Sequence, residues 1–226
     1  MVSNYPVQFD VDFPSRPLDR LTTAFRLLLA IPIVVVITML TGETFRDNDH
    51  TDTIVIGGAA VFLPLVLMLV FRQKYPRWWF DWNLNLLRFS NRVTAYLALL
   101  DDRYPSTDEE QAVHLDFVYP DARQLNRWLP LVKWLLAIPH YVVLFFLGLG
   151  AVIAVVAAWF AILITGTYPH RLFGFVVGVL RWTNRVNGYA FTLVTEQYPP
   201  FPAELTEAIQ LAATHYVRRH HWAARG

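Results

Sequence analysis

The chain has no cysteine among its 226 residues. Disulfides, thiolate nucleophiles, iron–sulfur clusters and cysteine-ligated zinc are therefore excluded. Charge is also scarce, since Asp, Glu, Lys and Arg together make up 16% of the sequence. The motifs HExxH and GxSxG, the P-loop and the Rossmann fingerprint are missing as well. We therefore expect no enzymatic activity, no metal and no cofactor.

Apolar residues are abundant instead. They form 55% of the chain, and the mean hydropathy is +0.34, which is too apolar for an ordinary soluble domain. A helix needs about 20 apolar residues to cross a hydrocarbon core of about 30 Å. Four runs approach that length, at residues 27–40, 54–71, 131–149 and 151–165. The sequence thus predicts four spanning helices, the last two joined by a turn at residues 148–150.

Positive charge is distributed unevenly around these helices. Of the nineteen Lys and Arg residues, eighteen lie outside the loop between the first two helices, and Arg46 alone lies within it. The positive-inside rule therefore places both termini and the long central segment in the cytoplasm. Trp residues flank the apolar runs, as is typical of a membrane interface: Trp78, Trp79, Trp82, Trp128 and Trp134.

The sequence repeats itself internally. The stretch RFSNRVTAY at residues 88–96 returns as RWTNRVNGY at residues 181–189. LLAIP likewise occurs twice, at residues 28–32 and 135–139. Matches in the same order over so long a stretch indicate a duplicated unit.

The duplication defines the predicted fold. Each unit begins with alternating apolar and polar residues, the pattern of a half-exposed strand. We interpret residues 1–111 and 112–201 as two parallel repeats, each with a short cytoplasmic strand, two spanning helices and an amphipathic interfacial helix. Residues 202–226 are predicted to form a basic amphipathic helix. The fold class is an all-α integral membrane protein, whose strands could pair within the chain or with neighbouring subunits.

The repeated amphipathic helix carries a polar face. Its residues are Arg88, Asn91, Arg92, Arg181, Asn184 and Arg185. A charge at the centre of a span costs about 2.5–3.5 kcal/mol, so we expect both helices to lie at the interface, with crossing as the alternative. The six residues could hold the two halves in register, or they could bind lipid headgroups, small anions or a partner. In the second copy, Gly174 and Gly178 form a small face for close helix packing.

Three further ionisable residues lie inside the predicted spans, once the residues from Leu21 onward are counted with the first. Arg26 and Lys133 occupy matching positions about one turn into their helices, and we expect both to snorkel to the cytoplasmic interface. His140 is a functional suspect because ionisable residues are rare within membranes. A haem would need a second histidine from another span, and the sequence supplies none. We expect His140 to pack in the core or at an interface.

Residues 76–105 and 169–199 resemble the repeated motif of a family of small bacterial membrane proteins, domain of unknown function 4389. The resemblance is carried by Arg88, Asn91, Arg92, Tyr96, Tyr104 and Pro105 in the first copy, and by Arg181, Asn184, Arg185, Tyr189, Tyr198 and Pro199 in the second. It implies two tandem copies in a multi-pass protein of the bacterial cytoplasmic (inner) membrane. It implies no activity.

These features predict a non-enzymatic scaffold or accessory subunit. It would bind membrane lipids and partner proteins through the basic amphipathic helices on the cytoplasmic side. We expect a homo-oligomer or a subunit of a larger membrane complex, and no nucleic acid. The alternative is a small oligomeric transporter or channel, suggested by Pro32, Pro139 and the paired arginines.

Overall fold

The structure, a computed structural model, describes residues 5–41, 63–107, 109–123 and 125–201. The predicted helix at residues 202–226 and the first half of the second predicted span lie outside the described residues. The described chain is mostly helical, with one small sheet. Its elements are β1 (Val7–Val11), α1 (Arg20–Ala24), α2 (Arg26–Thr41), α3 (Leu63–Arg72), α4 (Arg77–Leu97), β2 (Val113–Phe117), α5 (Leu129–Leu136), α6 (Ile138–Thr165) and α7 (His170–Ala190).

The two strands pair with each other. β1 and β2 are antiparallel, with Phe9 opposite Leu115 at the centre of the register. Buried and exposed residues alternate strictly along both strands, because successive side chains point to opposite faces of a sheet. One face is apolar and lies on the helices. Of the two pairings left open by the sequence, the structure has the one within the chain.

The sheet lies on the amphipathic helices α4 and α7. β2 packs on α4, and β1 packs on α7. β1 follows α7 along its length, since Phe13 stacks on His170 with ring centroids 3.9 Å apart while Val7 lies beside Gly188 near the other end of the helix. The strand of each predicted repeat therefore packs on the amphipathic helix of the other repeat.

α6 differs from the prediction, because it is a single helix with no turn at residues 148–150. Glycine inside a helix costs only about 1 kcal/mol relative to alanine. A Cβ at Gly150 would lie 3.4 Å from the Phe175 ring, so this glycine lets α7 approach. The chain reverses later, at Gly166, whose φ of 77° ends the helix in the left-handed conformation.

α6 runs antiparallel along α7. Near its start, the His140 and Trp182 rings are 5.3 Å apart, and near its middle Gly150 meets Phe175. Among the described residues, the helical stretch Leu129–Thr165, which comprises α5 and α6, is the one long and apolar enough to cross a membrane. An 18-residue window within it has a mean hydropathy of 2.7. Only 11% of that apolar window is buried, whereas a core helix of a soluble protein is mostly buried.

Two small buried clusters correspond at four of their five positions. The first joins α2 to α4 through Ala30, Ile33, Phe89, Val93 and Tyr96. The second joins the start of α6 to α7 through Ala137, Trp182, Val186, Tyr189 and Ala190. Both lie on the side of the amphipathic helices away from the sheet. The molecule is therefore layered, with the sheet on one side, α4 and α7 in the middle, and apolar helices on the other side.

Gly188 is the position of closest approach between β1 and α7. A Cβ at this position would lie 2.5 Å from Cγ2 of Val7, which is shorter than any ordinary contact. Val7 itself is fully buried beneath the sheet, so its side chain has no free space to occupy. Only glycine allows the strand to lie this close to the helix.

We predict that Gly188→Ala destabilises the fold by about 1–3 kcal/mol through overpacking. Gly174→Ala on the same helix is the matched control, because a Cβ there meets no atom within 4 Å among the described residues; it should be neutral or stabilise by up to about 1 kcal/mol. Denaturant unfolding of the full chain in detergent micelles measures both. Equal effects of the two substitutions would contradict the close approach.

Candidate functional site

A pair of asparagines lies at the centre of the interface between α4 and α7. The side-chain nitrogen of Asn91 donates to Oδ1 of Asn184 at 2.8 Å, and the reverse hydrogen bond is 2.7 Å. Each nitrogen also donates to a carbonyl one turn back in its own helix, that of Leu87 or Leu180. Both side chains are buried. The two amides thus satisfy each other's donors in a site closed to water.

The two arginines next to this pair bind the strands. Arg88 donates from Nε to the carbonyl of Leu115 at 2.8 Å and from Nη2 to Asp116 at 2.6 Å. Arg181 makes the matching contacts with β1. Its Nε donates to the carbonyl of Phe9 and its Nη2 to Asp10, both at 2.9 Å. Each guanidinium therefore ties one helix to one strand at two points.

Arg92 and Arg185 lie one turn further along the helices. Arg92 donates from Nη1 to the carbonyl of Ser106 at 2.7 Å. The guanidinium of Arg185 lies over the Tyr5 ring, 5.5 Å from its centroid. Burial lowers the pKa of Arg185, and the positive charge of Arg181 lowers it further, but a guanidinium stays protonated in proteins. Burial also raises the pKa of Tyr5, whose hydroxyl donates to the carbonyl of Gln197.

A second matched pair of cations, Arg26 and Lys133, is buried rather than snorkelling. Their exposed fractions are 2% and 1%. Arg26 donates to the carbonyls of Tyr96 and Asp101 and to the carboxylate of Asp102. The expectation of snorkelling is therefore wrong, because the partners that satisfy Arg26 lie some seventy residues away in the sequence and close over it.

Lys133 makes the equivalent contacts in the second half. Its Nζ donates to the carbonyl of Thr195 at 2.8 Å and lies 5.3 Å from the Tyr189 ring centroid. Arg26 lies 4.5 Å from the ring of Tyr96 in the same way. The cation of each apolar helix thus fastens that helix to the C-terminal end of the neighbouring amphipathic helix.

Of the six predicted site residues, the two asparagines are buried, and the four arginines are partly exposed but bound to groups of the chain itself. We call Asn91, Asn184, Arg88 and Arg181 the polar seam, because they join α4 to α7 and both helices to the sheet. Its guanidinium groups are occupied by carbonyls and by aspartates on the outer face of the sheet, and those aspartates would repel an anion. Of the two roles left open by the sequence, this geometry favours holding the halves in register over binding a headgroup.

The acceptors in this arrangement are the part that sequence reasoning missed. Asp10 and Asp116 occupy the same place in the two alternating stretches, one residue after the central strand residue. Their positions could have been matched to the repeated arginines. The prediction of half-exposed strands agrees with the structure, since both carboxylates remain largely exposed, but it did not include their guanidinium partners.

Gly174 and Gly178 make no close helix contact within the described residues. A Cβ at either position would meet no atom within 4 Å. The predicted close packing at this face is therefore not made by any described helix of the chain. Packing against a second copy or a partner stays a prediction.

His140 is fully buried among aromatic rings. Trp182, Tyr198 and Phe201 surround it, with centroid distances of 4.6–5.3 Å. Neither ring nitrogen has a hydrogen-bond partner within the described part of the chain. No group of three or more His, Cys, Asp or Glu side chains in the described ranges is placed to hold a metal ion.

Removing one seam asparagine should cost more than removing both. Asn184→Leu leaves the buried amide of Asn91 without its partner, a loss of about 1–3 kcal/mol. Adding Asn91→Leu replaces both amides by apolar groups of similar size, and we expect most of the loss to be recovered. Unfolding of the two single variants and the double variant, as a double-mutant cycle, measures the coupling.

Asn83→Leu is the matched control for this cycle. Asn83 is also buried in α4, but its side-chain nitrogen donates to Trp79 of its own helix. It should therefore show no coupling to Asn184→Leu. If the losses of unfolding free energy for Asn91→Leu and Asn184→Leu were additive, as expected for the control pair, the amide pair would be contradicted.

Comparison with known proteins gives one match. Residues 128–203 match the family described as Domain of unknown function (DUF4389). This segment begins just before α5 and includes α6, α7 and the residues that bind Lys133. Neither the curated proteins nor the solved structures contain a match to the chain.

Proposed function

We propose that the protein is a non-enzymatic membrane scaffold or accessory subunit of the bacterial cytoplasmic membrane. The observation that carries the proposal is the apolar surface of α6, which extends along the helix away from α7. Its exposed residues are Val142, Phe145, Phe146, Leu149, Val152, Ile153, Val156, Phe160 and Ile164. Monomeric soluble proteins rarely expose so large a contiguous apolar patch.

The opposite side of the molecule is polar, which supports the proposed orientation. The outer face of the sheet exposes Gln8, Asp10, Asp12, His114 and Asp116. α4 and α7 separate this face from α6. We therefore propose that the sheet faces the cytoplasm and that α2, α5 and α6 contact acyl chains.

The layering also suggests how α6 meets the membrane. Because α6, α7 and β1 run side by side, an upright α6 would carry Asp10 and Asp12 to the depth of the hydrocarbon. Each central charge costs about 2.5–3.5 kcal/mol there. Packed helices lie about 8–10 Å apart, so α6 beneath an interfacial α7 fits within one leaflet of about 15 Å. We propose that α6 lies along the membrane and does not cross it.

We further propose that the described chain contains a second, diverged copy of the matched domain. Support comes from equivalent residues that make equivalent contacts in the two halves. Arg88 corresponds to Arg181, Asn91 to Asn184, and Arg26 to Lys133. The interval from Arg26 to Pro76 is fourteen residues longer than that from Lys133 to Pro169. The first copy therefore has an insertion within its apolar segment.

The scaffold role rests on how the chain uses its polar side chains. The residues of the polar seam bind each other and the strands. We therefore assign lipid contact to the apolar helices and not to the arginines of α4 and α7. The exposed small face at Gly174 and Gly178 would accept a helix of a second copy or of a partner subunit. A small oligomeric transporter remains the second candidate, with Pro32 inside α2 as its supporting feature.

Native mass spectrometry of gently extracted full-length protein tests this role. We expect a second copy or a stoichiometric partner subunit in the parent protein, and its loss in a Gly174→Leu/Gly178→Leu variant. Gly148→Leu is the matched control, because its Cβ also meets no described atom within 4 Å but lies on α6. A lone monomer without bound protein or lipid would contradict the scaffold role.

A further inference from the structure

The junction between α3 and α4 is a basic and aromatic surface. α3 is apolar up to Phe71, and Arg72 and Lys74 follow before α4 begins at Arg77. Phe71 and both of these cations are exposed. Within the described chain, neither cation forms an ion pair or a side-chain hydrogen bond. Their charges are therefore accessible to an external partner.

A second segment of the chain brings Arg127, which is also exposed, to this junction. Its Nη2 donates to Oε1 of Gln73, the residue between the two cations, at 2.9 Å. Gln73 ends α3 with a φ of 45°, a left-handed conformation that residues other than glycine rarely adopt. The equivalent residue of the second half, also two positions before a Tyr-Pro pair, is Gly166. The first half therefore has a strained glutamine at the position from which it binds Arg127.

Exposed tryptophans border the three cations. Trp78 in the first turn of α4 is 65% exposed, and Trp128, directly after Arg127, is 69% exposed. Tryptophan is enriched at membrane interfaces, where one part of its ring system is apolar and the other part polar. α3 ends at this surface and α5 begins there, so two apolar helices meet the middle layer of the molecule at this level. In the proposed orientation, this level is that of the lipid headgroups.

The charge of the surface indicates what it binds. Arg77 adds a further positive charge, with its guanidinium 5.3 Å from the Tyr119 ring centroid. Asp81, one turn into α4, and Glu196, which accepts a hydrogen bond from the backbone N–H of Asn126, reduce the positive charge without cancelling it. Cations next to exposed indole rings match a bilayer surface that contains anionic lipids, which attracts each Lys or Arg close to it. An acidic soluble protein would match the charge but would not require the ends of two apolar helices.

We propose that this surface docks on anionic phospholipid headgroups, whose phosphates bind Arg72, Lys74 and Arg127. Gln73 is a positioning residue that holds Arg127 at the junction, and the two tryptophans lie beside the headgroups. The inference rests on the proposed membrane association and adds a lipid class to it. The apolar helices select no headgroup, whereas this surface selects a negatively charged one.

Native mass spectrometry tests the site, with the full chain in detergent micelles that contain equal amounts of phosphatidylglycerol and phosphatidylcholine. We expect the parent protein to retain about tenfold more phosphatidylglycerol than phosphatidylcholine, and Arg72→Gln/Lys74→Gln to lower this ratio at least about threefold. Arg16→Gln/Arg103→Gln is the matched control. It also removes two exposed cations, but near the C-terminal end of α4, and it should leave the ratio unchanged.

Gln73→Gly distinguishes positioning of Arg127 from a role in folding. Glycine adopts the left-handed conformation without strain, so the unfolding midpoint should not fall. The lipid ratio should nevertheless fall about two- to threefold, because Arg127 loses its acceptor. An unchanged ratio in this variant would overturn the positioning role.

The same ratio decides whether the site exists. Equal retention of the two lipids by the parent protein would overturn it, as would an equal decrease in the Arg72→Gln/Lys74→Gln variant and the control. Flotation with phosphatidylcholine vesicles separates the two proposals. Protein that floats but retains both lipids equally overturns the headgroup site alone, whereas protein that does not float overturns membrane association and the site with it.

Discussion

The reciprocal hydrogen bonds between Asn91 and Asn184 are the interaction on which the rest of the structure depends. Two amides that satisfy each other in a closed site fix one register between α4 and α7, because any shift would leave buried donors unpaired. With that register fixed, Arg88 and Arg181 lie where the strands pass, and each binds a carbonyl and an aspartate. The polar seam thus determines the position of the sheet.

The polar groups therefore lie in two places, between α4 and α7 and on the outer face of the sheet. The seam turns the charges of both amphipathic helices toward the sheet, which leaves apolar side chains to face α2 and α6. The exchange of strands between the two halves makes the layers mutually dependent, since neither helix is covered by the strand that precedes it in its own repeat. The hydrogen bonds that fix the fold therefore also determine which side of the molecule is apolar, and hence the orientation that we propose in the membrane.

Much of the layering could be predicted from sequence. Alternation at residues 7–13 and 113–119 predicted both strands, and the repeated arginines and asparagines predicted α4 and α7. Composition could not predict that α6 continues through Gly150. A single sequence does not distinguish a glycine that ends a helix from one that makes room for an aromatic ring of a neighbouring helix. The repeated motif places small residues, Ala95 and Gly188, at equivalent positions, but it does not show that only the second lies too close to a strand to carry a Cβ.

The burial of cations was also beyond local reasoning. A basic residue one turn into an apolar helix ordinarily snorkels, but Arg26 meets carbonyls and a carboxylate from the end of α4, and Lys133 meets the matching carbonyl after α7. Such partners lie far away in the sequence. The pairing of the two cations with equivalent acceptors could be recognised only after the two halves were placed side by side.

We propose that the polar seam, by tying α7 to the sheet, holds α6 along the membrane. The absence of cysteine makes a direct measurement simple, since single cysteines at Phe146, Ile153 and Ile164 can each carry one spin label. In vesicles, the ratio of accessibility to oxygen and to a water-soluble nickel chelate reports depth. The claim predicts similar depth for all three labels. A depth that changes steadily from one end of α6 to the other would contradict it.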